Sequence, residues 1–132
     1  MLSDAGVLTT LPVSDLERAR RFYHEMLGLR PLQELPQGFL FECADGGRFL
    51  LYLTGARSPS EHTQMSFVVA DIEGEIEDLK SDGVSFEEYD RQDLTTVGSI
   101  AYSRSAKSAW FRDSEGNLIG ITQTTSEDEE PR

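Results

Sequence analysis

Few side chains in this sequence could carry nucleophilic or acid–base chemistry. Cys43 is the only cysteine, and the histidines are His24 and His62. A cysteine nucleophile needs a histidine base within hydrogen-bond reach, and the sequence places neither histidine beside Cys43. We interpret Cys43, in the run FLFEC, as a small buried residue. Glu42 and His62 are the remaining acid–base candidates, and no residue is assigned as catalytic.

The cysteine count and the charge limit the partners of the protein. A single cysteine allows no intrachain disulfide and no thiolate cluster for zinc. The formal net charge of −12 argues against nucleic acid and an anionic membrane surface as partners, because phosphates would be repelled, and it would favour a cationic ligand. No stretch approaches the roughly 20 apolar residues of a membrane span, and the start MLSDAGV lacks a signal pattern. A cytoplasmic protein is predicted.

The chain contains an internal repeat. The stretch LPVSDLE, residues 11–17, recurs as FVVADIE, residues 67–73, which is an offset of 67 − 11 = 56 residues. In both copies an aspartate, Asp15 or Asp71, is placed to cap a helix N-terminus. Each helix then runs to a glycine, Gly28 or Gly83, of the kind that ends helices in the left-handed conformation. Both copies therefore predict a strand followed by a helix.

Further strands are predicted after each helix from apolar alternation. They cover residues 32–35, 39–43 and 48–53 in the first half, and 84–89, 109–112 and 117–123 in the second. The sequence thus predicts an α+β protein of two βαβββ modules, about 5–54 and 62–124, in a single domain (1–124). Residues 55–61 form the linker, and residues 125–132 form an acidic, solvated tail. Residues 90–108 have weak periodicity and are a candidate lid, in which Tyr102 is the aromatic residue expected to close over a ligand.

The opening LPVSDLERARRFYHEMLGL and the closing AWFRDSEGNLIGITQ resemble the vicinal oxygen chelate superfamily. This group includes glyoxalase I, extradiol dioxygenases, fosfomycin-resistance enzymes and bleomycin-resistance proteins, and the resemblance covers roughly residues 7–123. It implies that the two modules form an eight-stranded, cup-shaped mixed sheet with helices on the outer face and the ligand inside. A homodimer is also implied by the resemblance.

Catalytic members of this superfamily hold a divalent metal with four His or Glu side chains. The resemblance puts these positions at Leu8, Leu51, Gln64 and Gly120, which together offer one neutral carbonyl. Hard divalent ions need several oxygen or imidazole donors, so the metal site is predicted to be lost and no cofactor is expected. Moving the alignment of the second module by two residues would put His62 in the place of Gln64. The same move would break the match between the capping aspartates Asp15 and Asp71.

Strand alternation separates the faces of the strands that open the modules. Alternate residues from Val7 to Val13 and from Thr63 to Val69 are expected to pack under the helices, and the opposite faces to line a cavity. The predicted cavity residues are Leu8, Thr10, Leu51, Gln64, Ser66, Tyr102, Trp110, Leu118, Gly120 and Thr122. Gly120 is unusual because glycine weakens a strand interior. Either its missing side chain leaves room for a ligand, or a neighbouring side chain approaches closely.

Three classes of function follow from this sequence. The first is a metal-independent protein that binds and sequesters a small organic molecule, as the resemblance to the bleomycin-resistance branch implies. The second is a glyoxalase-like lyase or isomerase with a non-standard or absent metal site. The third is a regulatory or scaffolding domain with an unused cavity.

Overall fold

The computed structural model describes residues 1–55 and 61–125. Most of the predicted linker (residues 55–61) and nearly all of the predicted tail (residues 125–132) lie outside these ranges. The chain divides into two compact units between residues 58 and 59. Each unit is one module.

The first module is a four-stranded mixed sheet with one helix. After a 3-10 turn at Leu2–Asp4, its elements are β1 (Thr9–Val13), α1 (Leu16–Arg21), a turn of π-helix (Phe22–Met26), β2 (Pro31–Leu35), β3 (Gly38–Glu42), a 3-10 turn (Ala44–Gly46) and β4 (Arg48–Leu53). The strand order is β1-β4-β3-β2. The pair β1 and β4 is parallel, and the other two pairs are antiparallel.

The helix of the first module begins and ends as predicted. The Asp15 carboxylate accepts a hydrogen bond of 3.0 Å from the Arg18 backbone N–H, and Gly28 has a φ of +76°. The π-helical turn places Tyr23 in the core, where it is fully buried. Its ring lies 5.3 Å from that of Phe49 and 5.9 Å from that of Phe41. Aromatic burial of this kind supplies a large part of the stabilisation of a small core.

The second module has the same plan with additional short strands. Its elements are β5 (Met65–Val68), α2 (Ile72–Ser81), β6 (Asp90–Arg91), β7 (Leu94–Thr95), β8 (Ala101–Tyr102), β9 (Ala106–Arg112) and β10 (Leu118–Thr124). The main sheet has the order β5-β10-β9-β8, and β6 pairs with β7. Asp71 caps α2 by accepting the Gly74 N–H at 3.2 Å, and Gly83 has a φ of +99°. The predicted α+β class with two modules is confirmed, and each module contains a four-stranded mixed sheet.

The predicted strand at residues 84–89 is wrong. Only Phe86 forms a bridge there, with Phe111 of β9, and the N–H of Glu87 donates to the carbonyl of Trp110 at 2.8 Å. The chain then leaves the sheet because the backbone of Tyr89 bonds to Thr96 instead. The far end of the same edge of β9 pairs with β8. Two short segments thus share the edge that one strand was expected to fill.

Residues 90–108 are more regular than the sequence indicates. They contain the hairpin of β6 and β7, the strand β8 and a tight turn in which Val97 and Ile100 form a bridge. Gly98 and Ser99 of that turn have φ values of +60° and +74°, as a two-residue hairpin turn requires. Ser99 and Ile100 are buried. The role of this segment as a lid stays a prediction.

The turn between β9 and β10 explains the signature FRDSEGN. The buried carboxylate of Asp113 accepts the backbone N–H groups of Glu115 and Asn117 at 2.9 and 2.8 Å, and the Asn117 side chain at 2.9 Å. Gly116 supplies the positive φ of the turn, +89°. These residues satisfy buried backbone groups, so the motif specifies the fold. None of the helices in the described parts of the chain is long and apolar enough to cross a membrane.

Candidate functional site

The helix of each module covers one face of its sheet, and we call the other face the open face. In the second module, Gly120 lies in register between Ser66 of β5 and Trp110 of β9. Paired residues of neighbouring strands point to the same side of a sheet, so these positions share the open face. Thr122 belongs to it as well, and its hydroxyl oxygen lies 3.0 Å from that of Ser108. The predicted cavity residues Ser66, Trp110, Leu118, Gly120 and Thr122 all lie on this face. Gln64 precedes β5 and is bonded to the backbone of Leu118.

Close neighbours account for the missing side chain of Gly120. A Cβ placed on this residue would lie 2.7 Å from the hydroxyl oxygen of Ser66. The same atom would lie 3.2 Å from the methyl group of Thr63 and 3.4 Å from the indole nitrogen of Trp110. Of the two sequence alternatives, the structure favours close approach over an unfilled space. The position expected for a metal-binding carboxylate carries hydroxyl groups and an indole.

Thr63 is on the side of the sheet opposite to the predicted one. The indole N–H of Trp110 donates to Thr63 Oγ1 at 3.0 Å, which brings Thr63 to the open face. The alternation of a strand does not apply to it, because β5 begins only at Met65. Met65 and Phe67 face the helix side as predicted, since they pair with the buried Ile119 and Ile121.

Tyr89 extends the aromatic surface of Trp110. The two rings meet edge to face, with centroids 5.6 Å apart and an interplanar angle of 80°, and the Arg91 guanidinium lies 5.2 Å from the Tyr89 ring centroid. Burial raises the pKa of the Tyr89 phenol, and the charge of Glu87 adds to the increase. Tyr89 is therefore neutral at physiological pH and keeps its O–H donor.

Gln64 has a structural hydrogen bond where the superfamily places a metal ligand. The Gln64 side-chain carbonyl accepts the backbone N–H of Leu118 at 3.1 Å. The backbone N–H of Gln64 donates to the Leu118 carbonyl at 2.9 Å. The side chain thus extends the ladder between β5 and β10 by one pair. Its oxygen is already engaged with the backbone, so it is a poor candidate ligand.

Leu51 is not part of the open face of the first module. Leu51 is fully buried and pairs with the buried Leu11, whereas Thr10 pairs with Leu50. The prediction that Leu51 is the equivalent of Gly120 was wrong by one position, because Thr10 pairs with Leu50 as Ser66 pairs with Gly120. Leu50 is the equivalent of Gly120.

The residues that precede β1 also differ from the predicted alternation. Val7 was expected to pack under the helix, yet it is 94% exposed because it lies before the strand begins. Leu8 is 46% exposed at the same end of the module.

Tyr102 lies on the helix side of the sheet of the second module, and not on the open face. It pairs with Lys107, which pairs with Gln123. Both of these partners contact α2: Lys107 forms a 2.9 Å ion pair with Glu73, and Gln123 accepts the Ile72 N–H. A groove of about 340 Å3 lies on this same side, lined by residues of α2 and by Gly98 and Ile100. It contains none of the predicted cavity residues.

The nucleophile and acid–base candidates are not assembled into a catalytic arrangement within either module. Burial raises the pKa of the Cys43 thiol, with a smaller contribution from Glu42, which is the reverse of what a reactive thiolate needs. Glu42 forms an exposed 3.6 Å ion pair with Arg48. His24 Nδ1 lies 2.8 Å from the Leu29 carbonyl oxygen, and His62 is exposed in the other module.

The residues at the superfamily's metal positions do not fit a divalent cation. Leu8, Leu50 and Gly120 have no donor atoms in their side chains, and the Gln64 carbonyl is bound to the backbone. Within residues 1–55 and 61–125, no group of three or more His, Cys, Asp or Glu side chains is arranged to hold a metal ion. The loss of the metal site stays a prediction.

Sequence reasoning did not identify Thr63 and Tyr89 as residues of the open face. Thr63 lies two residues before β5 begins, and Tyr89 was assigned to a strand that does not form. Both residues contact Trp110. These contacts become visible only when the pairing of β9 with its neighbours is known.

Comparison with known proteins establishes the family. The model of the Glyoxalase/Bleomycin resistance protein/Dioxygenase superfamily matches residues 7–121, so the chain belongs to this superfamily. A search among proteins of curated function gave no match.

Similar solved structures include TnmS3, an antibiotic binding protein from Streptomyces sp. CB03234. Its TM-score is 0.73 at 21% identity, over 95% of this chain and 100% of that one. FosX, a fosfomycin resistance protein from Listeria monocytogenes, aligns with a TM-score of 0.68 at 19% identity, over 95% and 97% of the two chains. The lactoylglutathione lyase from Agrobacterium tumefaciens aligns with a TM-score of 0.66 at 21% identity, over 91% of this chain and 93% of that one. These similarities establish a shared fold.

Proposed function

We propose that this protein binds a small organic molecule with a flat ring, without a metal ion, against the open face that carries Trp110. The observation that carries the proposal is the set of groups at Gly120. An indole and two hydroxyl groups occupy the place of the superfamily's metal-binding carboxylate. Aromatic walls with a few neutral polar groups are typical of sites for small organic ligands.

The name of TnmS3 supports the same kind of role. That protein is described as antibiotic binding, and a binding protein needs affinity without any catalytic group. The enzyme alternative is less well supported, because its candidates Glu42 and His62 are both exposed and Glu42 is ion-paired with Arg48. A homodimer and a cytoplasmic location remain part of the proposal on the grounds given by the sequence and the superfamily.

The charge of the ligand is not set by the net charge of the chain. The charged side chain over Tyr89 is basic, Arg91, and it has an acidic partner in Asp93 at 3.6 Å. Arg112, which pairs in register with Leu118, lies 3.7 Å from Glu61. Each basic group is thus close to an acidic one. We therefore propose a neutral ligand in place of the cationic one that the net charge of −12 would favour.

Screening a library of small aromatic compounds by native mass spectrometry tests this function. We expect one compound bound per chain, with the same affinity after dialysis against EDTA as after addition of zinc, nickel or manganese. Trp110 is the only tryptophan, so quenching of its fluorescence would locate the compound. Binding that appears only with added metal would contradict the metal-independent function.

A matched pair of variants separates the open face from general effects on folding. Trp110→Leu should abolish binding because it removes the aromatic surface. Tyr102→Leu removes an aromatic residue from the helix side of the same sheet and should leave binding unchanged. Equal loss in both variants would show that the ligand does not use the open face.

A further inference from the structure

The hydroxyl groups beside Trp110 have a defined hydrogen-bond direction. An indole N–H can only donate, so Thr63 Oγ1 must accept in the 3.0 Å bond from Trp110. The hydroxyl hydrogen of Thr63 is then left to donate elsewhere. Accepting one hydrogen bond also makes a hydroxyl a stronger donor.

Neither hydroxyl has another hydrogen-bond partner in the described part of the chain. Within residues 1–55 and 61–125, the Thr63 side chain bonds only to the Trp110 indole, and the Ser66 hydroxyl makes no hydrogen bond. Both residues are exposed, so their hydrogens are open to solvent or to a ligand. This distinguishes them from Thr122 and Ser108 on the same face, whose hydroxyls bond to each other.

Gly120 allows these groups to converge. The Ser66 oxygen lies 2.7 Å from the point where a Cβ of Gly120 would be, and the Thr63 methyl lies 3.2 Å from it. Any larger residue at position 120 would push the two hydroxyl-bearing side chains apart. The glycine therefore has a role in the site itself, since it sets the spacing of its polar groups.

We infer that Thr63 and Ser66, with Trp110 beside them, form a donor subsite that takes a carbonyl oxygen of a flat aromatic ligand. This inference rests on the proposed function and adds the class of ligand, an aromatic ketone or a related carbonyl compound. The ring would lie against the Trp110 surface, and the Thr63 hydroxyl would donate to the carbonyl oxygen.

Two probes with one carbon framework test the subsite. 9-Fluorenone carries a carbonyl group where fluorene carries a methylene group, and equilibrium dialysis gives the affinity of each. Thr63→Val keeps the shape of the side chain and removes the hydroxyl. We expect it to weaken fluorenone binding by about 3- to 10-fold, the usual contribution of one hydrogen bond, and to change fluorene binding by less than about 2-fold, because no donor is lost to a methylene group.

Comparing the ratio of the two affinities in each variant cancels differences in hydrophobicity between the probes. Thr124→Val, at the exposed end of β10, is the matched control and should leave the ratio unchanged. Ser66→Ala should also lower the ratio, and it carries the test if circular dichroism shows that Thr63→Val does not fold.

Each result of this experiment has a distinct meaning. If each variant, Thr63→Val and Ser66→Ala, changes the affinity for both probes by the same factor, the donor subsite is overturned. The same holds if neither variant changes the affinity for fluorenone. Both results leave the proposed function intact. If the unmodified protein binds neither probe but binds another compound of the aromatic library, the donor subsite is overturned and the proposed function stands. If it binds no compound of the library, the proposed function is contradicted as well.

Discussion

At the scale of single residues, glycine occupies two strand positions, 120 and 38, for different reasons. The obstructing atom at Gly120 is the hydroxyl oxygen of Ser66, which can move by rotation of one side-chain bond. At Gly38 it is the backbone carbonyl oxygen of Leu51, 2.5 Å from the ideal Cβ position. A backbone oxygen within a paired strand cannot move without displacing the strand, so the two glycines should differ in their tolerance of alanine.

Gly120→Leu should overpack the open face of the second module. Four additional carbon atoms would meet Ser66, Thr63 and Trp110 at distances already below or near contact. We expect a loss of about 1 to 3 kcal/mol in the free energy of unfolding, measured by urea denaturation. A variant as stable as the parent protein would show that this face has room to spare.

Gly38→Ala should be more destabilising than Gly120→Ala, although both replace a strand glycine by the same residue. The new Cβ at position 38 would force β3 and β4 apart at a backbone contact, at a cost of about 2 kcal/mol or more. At position 120 the Ser66 hydroxyl can rotate away. Paired urea denaturation curves measure the difference, and the opposite order would contradict the explanation.

At the scale of elements, the Glu88 carboxylate helps to join the segment before β6 to the segment after β7. Glu88 accepts hydrogen bonds from the Ser99 hydroxyl at 2.6 Å and from the Thr96 hydroxyl at 2.8 Å. Thr96 also accepts the Tyr89 N–H through its hydroxyl and donates its own N–H to the Tyr89 carbonyl. Glu88 thus contributes to holding Tyr89, and with it the edge-to-face contact with Trp110.

This attachment should weaken in acid. The hydrogen bonds from Ser99 and then Thr96 lower the pKa of Glu88, and the Lys80 charge adds a smaller effect. A depressed pKa in the folded state contributes stability that is present above the unfolded value, near 4.5, and is lost as the pH falls through the folded value. We therefore expect the emission of Trp110 to change below about pH 4.5, while far-UV circular dichroism stays constant.

Glu88→Gln should remove that transition, because its side chain does not titrate. Glu75→Gln is the control, because it removes one negative charge from an exposed position of α2. This variant should retain the transition in Trp110 emission. Superimposable titrations of the parent and Glu88→Gln would contradict the role of this carboxylate.

At the scale of the whole molecule, the net charge of −12 over 132 residues acts against folding through repulsion between like charges. Raising the salt concentration from about 0.01 to 0.15 M shortens the screening length from roughly 30 to 8 Å. We expect the thermal midpoint to rise over this range, as measured by circular dichroism. A fall would show that the ion pairs outweigh the repulsion.

The sequence by itself determined the repeat, the two helices and most of the strands. Asp15 and Asp71 begin their helices, and Gly28 and Gly83 end them, because capping depends on groups within a few residues along the chain. The superfamily could also be recognised, since motifs such as FRDSEGN specify a turn through local hydrogen bonds. Of the predicted cavity residues, those on β5, β9 and β10 share one face because regular alternation holds within a strand.

The tertiary structure alone decided which groups meet at Gly120. Thr63, Tyr89 and Trp110 come from separate segments, and their contacts depend on how β9 pairs with the residues on either side of it. The errors have the same origin. Leu51 was misplaced by one position because the register of β4 on β1 is set by burial of Leu11 and Leu51 together. Tyr102 was misplaced because the face of a two-residue strand follows from its partner, Lys107. Register and pairing arise from packing between distant segments, which local sequence patterns do not contain.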